Sequence, residues 1–322
     1  MSEVSLSVVD GDLIAFKASA ACETRTIDVS FNGVFFGNFP NRTKFKAYLK
    51  ETVGSPPFEE FTITDKQEVE DLANCLHTIK VMLQGIQYKC KTKEQRVCVQ
   101  GEGNFRDDLL LPTKYKGGRT DMIKPLYLKQ AKEYLLSRFK AEQAHGKETD
   151  DVCAAYAYEG YVKKQYIVQC STDKDSNSNV GWLFNWDKME APEKIEGLGH
   201  LSRNDKGAVS GRGRKWFVHQ CLFGDRSDSY VPYQLSGMKF GEKASFDLLK
   251  DLTTDKECWQ VMYDQYKIWY PNDFTYTAWN GEIVNGNALQ QMQLYIDCAH
   301  MRRFAGDRVV AQDVLTKLGV QY

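Results

Sequence analysis

Over the first two hundred residues, the pattern of hydrophobic and polar positions alternates between the period of a strand and the period of a helix. Four short runs, 4–9, 96–100, 166–170 and 180–186, have the alternating or continuously apolar character of strands. Between them lie stretches whose apolar residues recur every three or four positions, as in one face of a helix. Strands that alternate with helices in this way predict an α/β fold with a central, mostly parallel sheet.

Local signals predict where three of the helices begin. Thr64 and Gln67 have the spacing of a capping box, ahead of an amphipathic stretch that runs to residue 84. Pro125 suits the first turn of a second helix, and a third is predicted from about Thr149. Residues 187–214 are rich in glycine and lack apolar periodicity, which predicts mostly loop with a short strand or hairpin. From residue 215 onward the pattern becomes mainly helical and aromatic.

The composition excludes several classes of protein. The chain has 322 residues, 42% of them hydrophobic, and its 42 basic and 43 acidic side chains nearly cancel, so any electrostatic footprint must be local. Nine scattered cysteines without a C-x-x-C pair predict reduced thiols, and neither a disulfide framework nor a zinc ribbon. We see no signal peptide and no apolar run of about 20 residues. These features predict a cytoplasmic protein without a membrane span.

Carboxylates gather where the predicted strands end and where the helix at Thr149 begins. The carboxyl ends of parallel strands meet at one edge of a sheet, which is where such folds bind ligands. Taken singly, each pair of acids is well explained as a turn or a helix cap. The acids concerned are Asp10, Asp12, Glu102, Glu148, Asp150, Asp151, Asp173, Asp175, Asp225 and Asp228.

The joint pattern of acids predicts a metal centre. Carboxylates held at one edge repel one another unless cations neutralise them or some become protonated. Hard divalent cations such as Mg²⁺ and Mn²⁺ take oxygen ligands of this kind. Two such ions about 4 Å apart can clamp the attacking and leaving oxygens of a phosphodiester. We therefore predict a site for two Mg²⁺ ions, with Mn²⁺ as the alternative.

One basic stretch has the character of a phosphate-binding segment. "LPTKYKGGRTDMIKP" (111–125) combines cations, a tyrosine and two glycines that allow close backbone approach. Cations neutralise phosphates and tyrosine stacks on bases, a combination suited to single-stranded nucleic acid. A solvated basic turn explains the same stretch equally well. The predicted DNA contacts here are Lys114, Tyr115, Lys116, Arg119 and Lys124.

The order of these motifs resembles the bacteriophage and bacterial 5′→3′ exonuclease and flap endonuclease family. Asp10 after a strand is followed by "FR…YKGGR", "ETDD", "STDKDSN" and "GDRSD", and the resemblance covers roughly residues 4–245. It implies a PIN-like nuclease core over 1–214 with a helical arch at about 105–145. It also implies a mainly helical region over 215–322, with a helix–three-turn–helix element at about 224–250 that grips duplex DNA.

The resemblance also implies roles for individual residues. Lys116 and Arg119 match the basic residues that approach the scissile phosphate. The family's second-strand Asp is missing, and Glu102 is the acid nearest to that place. In the glycine-rich loop, where some relatives bind K⁺, Gly237, Gly241 and Lys243 keep part of the pattern. The metal ligands implied by position are Asp10, Glu148, Asp150, Asp151, Asp173, Asp175, Asp225 and Asp228.

The activity implied is metal-dependent hydrolysis of DNA at 5′ ends, flaps and duplex–single-strand junctions, with RNA–DNA hybrids as further candidate substrates. Two alternatives stay open. A phosphatase of the haloacid-dehalogenase type also opens with D-x-D after a strand, and would use Asp10 as nucleophile and Asp12 as acid and base. The other alternative is a DNA-binding protein that kept this fold and lost the chemistry. The phosphatase pattern gives no role to "ETDD" or "YKGGR".

Overall fold

Strands and helices alternate along the chain, as the two periods of the sequence predicted. The computed structural model describes residues 4–119 and 122–321, and these residues form thirteen strands and ten α-helices. The strands are β1 (Ser5–Asp10), β2 (Glu23–Phe31), β3 (Val34–Phe39), β4 (Phe61–Val69), β5 (Glu94–Gln100), β6 (Glu142–Ala144), β7 (Tyr166–Cys170), β8 (Gly181–Phe184), β9 (Glu193–Ile195), β10 (His200–Arg203), β11 (Val209–Arg212), β12 (Phe274–Thr277) and β13 (Ile283–Gly286). The helices are α1 (Gly11–Ala21), α2 (Arg42–Glu51), α3 (Leu72–Cys90), α4 (Leu128–Arg138), α5 (Thr149–Lys163), α6 (Gly213–Phe223), α7 (Glu242–Leu249), α8 (Asp255–Trp269), α9 (Ala288–Ala299) and α10 (Ala311–Leu318).

All four predicted strands lie in one sheet of order β6-β5-β1-β7-β8-β9. The first five are parallel to their neighbours, and only β9 runs antiparallel. The central strand β1 is buried along most of its length, as its apolar run requires. The predicted α/β class with a mostly parallel sheet is confirmed.

The chain divides into two compact units. The first contains 1–12, 85–122 and 139–322, and it holds the six-stranded sheet together with α5 to α10. Its helices α6, α8 and α9 pack around a core rich in aromatic residues, in which Trp259, Tyr266 and Tyr295 are fully buried. The predicted helical character beyond residue 215 is confirmed, although the hairpin of β12 and β13 was not foreseen. The predicted domain boundary after residue 214 stays a prediction.

The second unit contains 13–84 and 123–138 and is built around an antiparallel sheet of order β3-β2-β4. Ile27, Val29, Phe45 and Phe61 form its core, with α2 packed against β3. The capping box predicted at Thr64 and Gln67 is wrong, because both residues lie in β4 and pair with β2. The helix begins only at Leu72. The run "FTITDKQEV" alternates as a strand does, and Val69, at helical spacing before Leu72, extended the predicted helix back into it.

The other local predictions hold with small shifts. Helix α5 begins at Thr149 as predicted, and α4 begins three residues after Pro125, whose carbonyl accepts the Leu128 N–H at 3.1 Å. The glycine-rich stretch contains the short hairpin of β10 and β11. All nine cysteines are free thiols in buried positions. Within the described residues, no helix has the length and apolar character needed to cross a bilayer.

A buried histidine of the helical region predicts a loss of stability in mild acid. His219 on α6 lies 2.9 Å from the Ser245 hydroxyl of α7, and burial lowers its pKa to about 4. As the pH falls below about 6.5, His219 becomes protonated in the unfolded chain, whereas in the folded chain it stays neutral until the pH approaches 4. Its contribution to stability is present above pH 6.5 and is lost as the pH falls towards 4. We expect this loss to approach about 3 kcal/mol, from about 1.36 kcal/mol per pKa unit.

Urea unfolding at pH 7 and pH 4.5 in chelator measures this effect. The His219→Gln variant should lose less stability over that interval than wild type, whereas the exposed control His77→Gln should follow wild type. An equal loss in all three proteins would show that His219 is not responsible.

Candidate active site

The end of β1 brings the first acid to the edge of the sheet. Asp10 is buried, and its Oδ1 accepts the backbone N–H of Asp12 at 3.1 Å. Between them Gly11 approaches β5 so closely that an added Cβ would lie 2.7 Å from the Cys98 carbonyl oxygen. The glycine is therefore required by this close approach, and it fixes where Asp10 leaves the sheet.

Asp12 joins three elements rather than facing the open site. Its Oδ2 accepts hydrogen bonds from the Gln100 backbone N–H at 2.7 Å and the Thr149 hydroxyl at 2.6 Å. The Gln100 side-chain oxygen in turn accepts the Thr149 N–H at 3.2 Å. The first turn of α5 is thereby held beside the ends of β1 and β5. A carboxylate engaged in this way is poorly placed as the acid and base of a phosphatase.

The first turn of α5 presents Glu148 and Asp150 to the same edge as Asp10. One carboxylate oxygen of Asp150 is buried and has no hydrogen-bond partner. Burial raises the pKa of Asp150 well above its usual range, and the like charges of Asp10, Asp173 and Glu148 raise it further. A buried carboxylate oxygen without a donor calls for a cation or a proton.

Three more carboxylates converge beside this group. One ligand oxygen each of Asp175, Asp225 and Asp228 lies within 4.8 Å of the others, and no second group of three potential metal ligands meets that limit in the described part of the chain. An isolated antiparallel β-bridge joins the backbone of Asp225 to that of Tyr230, and the Ser227 hydroxyl donates to the Asp225 carboxylate at 2.6 Å. Burial raises the pKa of Asp175 well above its usual range, and its aspartate neighbours add to the effect.

Cations from the predicted basic segment close the site on one side. Lys116 contacts Glu148 and lies 3.7 Å from Asp228, and Arg119 pairs with Asp228. The Tyr115 hydroxyl donates to Asp228 at 2.9 Å. Lys116 has a left-handed backbone (φ 54°), which costs a non-glycine residue about 1 kcal/mol or more. That strain is maintained by its N–H, which donates to the Asp228 carbonyl at 2.8 Å.

Asp151 requires a correction to its predicted role as a metal ligand. Its carboxylate is fully buried and forms a two-pronged ion pair with Arg106, at 2.8 and 3.1 Å. The same oxygens accept the backbone N–H groups of Arg302 and Glu148, at 2.8 and 2.9 Å. Arginine and two N–H donors saturate this carboxylate. Asp151 therefore anchors the first turn of α5, and we remove it from the ligand set.

The remaining predicted residues lie at varied distances from the acids. Glu102 is exposed, and its backbone carbonyl accepts the Gly146 N–H at 2.8 Å while its N–H donates to His145 Nδ1 at 3.3 Å. Lys114 lies over the Trp279 ring at 5.0 Å. Lys124 belongs to the second unit, where its carbonyl accepts from Gln67 at 2.9 Å. In the loop between α6 and α7, Gly237 has a left-handed backbone and Gly241 precedes α7. On α7 itself, Lys243 pairs with Asp247.

Four supporting residues have no role assigned to them by the sequence motifs. Arg106 and Gln100 hold the first turn of α5, Gln220 donates to Asp175, and Lys174 pairs with Asp225 at 2.9 Å. Lys174 lies between the two aspartates of "STDKDSN", so its position was a usable signal. Nothing in the spacing of Gln220 on α6 sets it apart from a core glutamine.

The donor set suits divalent cations. All the candidate ligands are carboxylates, the ligand preference of Mg²⁺ and Mn²⁺, and burial together with like charges raises the pKa of Asp150 and of Asp175 well above the usual range. Asp10, Glu148 and Asp173 are the like-charged neighbours of Asp150 and form the first group with it. Asp175, Asp225 and Asp228 form the second group. The orphaned oxygen of Asp150 belongs to the first group.

Fold and site together define an α/β protein with a cluster of carboxylates at the carboxyl edge of its sheet, whose oxygen donors suit divalent cations. Among solved structures, the bacteriophage T5 5′-exonuclease with bound zinc is 15% identical and has a TM-score of 0.50, with 97% of this chain and 96% of that chain covered. The fold is therefore that of the T5 5′-exonuclease, as the motif order implied.

Two further structures match over the same shares of the chains, at 15% identity and a TM-score of 0.49. They are a bacteriophage T5 protein co-crystallised with metal ions and a T5 flap endonuclease in a pseudo-enzyme–product complex with DNA and metal ions. No protein-family model and no curated protein matches this sequence.

Proposed function

We propose that this protein is a metal-dependent nuclease that hydrolyses DNA phosphodiesters at 5′ ends and 5′ flaps. The observation that carries the proposal is the combination at one edge of the sheet: two adjoining groups of carboxylates, bordered by Lys116 and Arg119. Acids alone would fit many divalent-metal sites. The basic side chains beside them are the feature that suits a polyanionic substrate.

Two divalent ions, Mg²⁺ or Mn²⁺, fit the carboxylate groups around Asp150 and around Asp225. Bound there, such ions would supply a nucleophilic water at neutral pH and stabilise the charge on the phosphodiester oxygens. Asp10, Glu148 and Asp173 complete the first group, and Asp175 and Asp228 the second. No side chain in the site needs to form a covalent intermediate.

The basic segment would bind and orient the scissile phosphate. Lys116 and Arg119 each pair with a site carboxylate here, so the middle of the segment is held beside the acids. With DNA bound, Lys116 and Arg119 would interact with the scissile phosphate and stabilise the negative charge that develops on it. Tyr115 is buried and hydrogen-bonded to Asp228, which favours a positioning role over base stacking.

Contacts to DNA beyond the scissile phosphate are proposed from the sequence motifs. Lys114 and Lys124 belong to the same basic segment, and Gly237 and Gly241 of the loop, with Lys243 at the start of α7, would contact the duplex backbone. The geometry supports this loop in one respect, because it connects two packed helices, α6 and α7, directly after the acid pair. A K⁺ ion at this loop and cleavage of RNA–DNA hybrids remain proposals from the resemblance.

Removal of either basic side chain should slow the chemical step. Lys116→Ala and Arg119→Ala are expected to lose on the order of 10²–10³ in single-turnover rate, the range seen for one oxyanion-stabilising donor. Lys188→Ala, an exposed lysine, is the control and should cleave like wild type. Wild-type rates in both Lys116→Ala and Arg119→Ala would remove the basic segment from the mechanism.

The substrate class is tested by offering two substrates to the same preparation. An end-labelled duplex with a 5′ flap should be shortened or cut in Mg²⁺, and a small phosphomonoester should yield no phosphate. Phosphate release without DNA cleavage would favour the phosphatase. DNA binding in chelator, with no turnover of either substrate once Mg²⁺ is restored, would favour the inactive relative.

A further inference from the structure

A cavity outside the acidic site is lined by two arginines. It has a volume of about 230 Å³, and Arg214 and Arg303 contribute to its wall together with Ser178, Asn179 and His300. Of the described residues that line it, none is acidic. A cavity of this size holds a phosphate group with a few waters.

The two arginines in this wall are balanced very differently. Arg303 forms a bidentate salt bridge with Asp307, with hydrogen bonds of 2.8 and 3.0 Å. Arg214 has one carboxylate nearby, Asp255, and that oxygen lies 3.8 Å from its Nε, beyond hydrogen-bond distance. The Arg214 guanidinium instead lies against two aromatic rings, with its Cζ 5.7 Å from the Phe217 centroid and 6.0 Å from that of Trp259.

The electrostatics of Arg214 point the same way. Burial lowers the pKa of its guanidinium, and the like charge of Arg303 lowers it further, against a partial contribution from Asp255. Two guanidinium groups therefore line one cavity, and only that of Arg303 has a carboxylate at hydrogen-bond distance. The backbone of the first turn of α6 is already occupied, since the Lys215 N–H donates to the Leu198 carbonyl at 2.9 Å. Any anion would therefore be bound by side chains.

We propose that this cavity is a phosphate-binding site, with Arg214 as its principal ligand. Arginine suits the task because its planar fork presents paired donors to phosphate oxygens, and the aromatic rings fix its plane. The phosphate could belong to the backbone of bound DNA or to a free nucleotide. The first source rests on the proposed nuclease function, and the site itself does not.

The first experiment uses inorganic phosphate and metal-free protein. Thermal unfolding is followed in chelator at constant ionic strength, with chloride replaced stepwise by phosphate. Wild type should gain about 3 °C at a phosphate concentration tenfold above the dissociation constant. Arg214→Met should lose most of that gain, and Arg214→Lys should keep part of it. Arg308→Met, an exposed arginine paired with Asp297, is the matched control and should respond like wild type.

The variant's own stability distinguishes a binding role from a packing role. Methionine keeps an apolar stem against Phe217 and Trp259 and removes the repulsion from Arg303. Without phosphate, Arg214→Met should therefore melt at or above the wild-type temperature. A variant that melts lower without phosphate, yet gains the same increment from it, would overturn the proposal. So would equal phosphate responses in wild type and Arg214→Met.

The second experiment identifies the source of the phosphate. Duplex binding is measured by fluorescence anisotropy in chelator over a range of salt concentrations, beside thermal shifts with a deoxynucleoside 5′-monophosphate. If the site holds a backbone phosphate, Arg214→Met should weaken duplex binding and reduce the salt slope by about one. If it holds a free nucleotide, the mononucleotide response should be lost with an unchanged slope. Loss of cleavage alone would concern the proposed function and leave the phosphate response intact.

Discussion

Replacement of Asp150 by asparagine should abolish most nuclease activity and at the same time stabilise the metal-free protein. The carboxylate lies among Asp10, Glu148 and Asp173, and one of its oxygens is buried without a donor. Neutralising it relieves like-charge repulsion in the metal-free state. It also removes a ligand from the predicted first metal position. Because such an ion supplies several kcal/mol of transition-state stabilisation, we expect a loss on the order of 10³ in rate.

Thermal unfolding in chelator and in Mg²⁺, beside a single-turnover cleavage assay, measures both effects. Wild type should gain stability from Mg²⁺ by mass action, about 1.4 kcal/mol at tenfold above the dissociation constant, and Asp150→Asn should lose much of that gain. Asp205→Asn changes an exposed acid of the β10–β11 turn and should behave as wild type throughout. A destabilised Asp150→Asn protein that retains its cleavage rate would mean that Asp150 is a helix cap.

The neighbouring aspartate should respond with the opposite sign. Asp151 is paired with buried Arg106, whose other donors reach the carbonyls of Cys298 and His300 at 3.0 and 2.8 Å. Removal of one partner leaves an uncompensated buried charge, which costs about 3–5 kcal/mol. We therefore expect Arg106→Met to lose about that much in free energy of unfolding, and Asp151→Asn to be destabilised as well. Urea unfolding in chelator measures both values.

A double variant provides the control for this pair. Arg106→Met combined with Asp151→Leu removes both charges together and should recover a large part of the stability that Arg106→Met alone loses. An Asp151→Asn protein as stable as wild type would contradict the assignment. It would return Asp151 to the ligand set that the "ETDD" motif implied.

The sequence predicted the sheet better than the second unit, for a physical reason. The parallel strands are buried on both faces, so their apolar runs stand out. Asp10 is the last residue of one of them, and Asp173 lies three residues beyond another. The strand β4 is half-exposed, and its alternation in "FTITDKQEV" runs into the apolar spacing of α3. Its pairing with β2 joins segments some forty residues apart, which no local pattern reveals.

The site was predicted as a group but not in its internal division of roles. Spacing places Glu148, Asp150 and Asp151 on one helix start, and it cannot say which of them meets a buried arginine. Arg106 lies 45 positions from Asp151, so only the fold pairs them. For the same reason Asp12 was grouped with the acids of the edge, although it serves to join β5 and α5.

The most direct test of the central claim is a Mn²⁺ titration of the metal-free protein, followed by the electron paramagnetic resonance signal of the free ion. We expect wild type to bind two ions per chain. In Asp150→Asn and in Asp225→Asn, binding at one of the two positions should be weakened. Asp205→Asn should bind as wild type does. Absence of Mn²⁺ binding by folded wild-type protein, or identical binding curves for all four proteins, would contradict the assignment of these carboxylates as a divalent-metal centre.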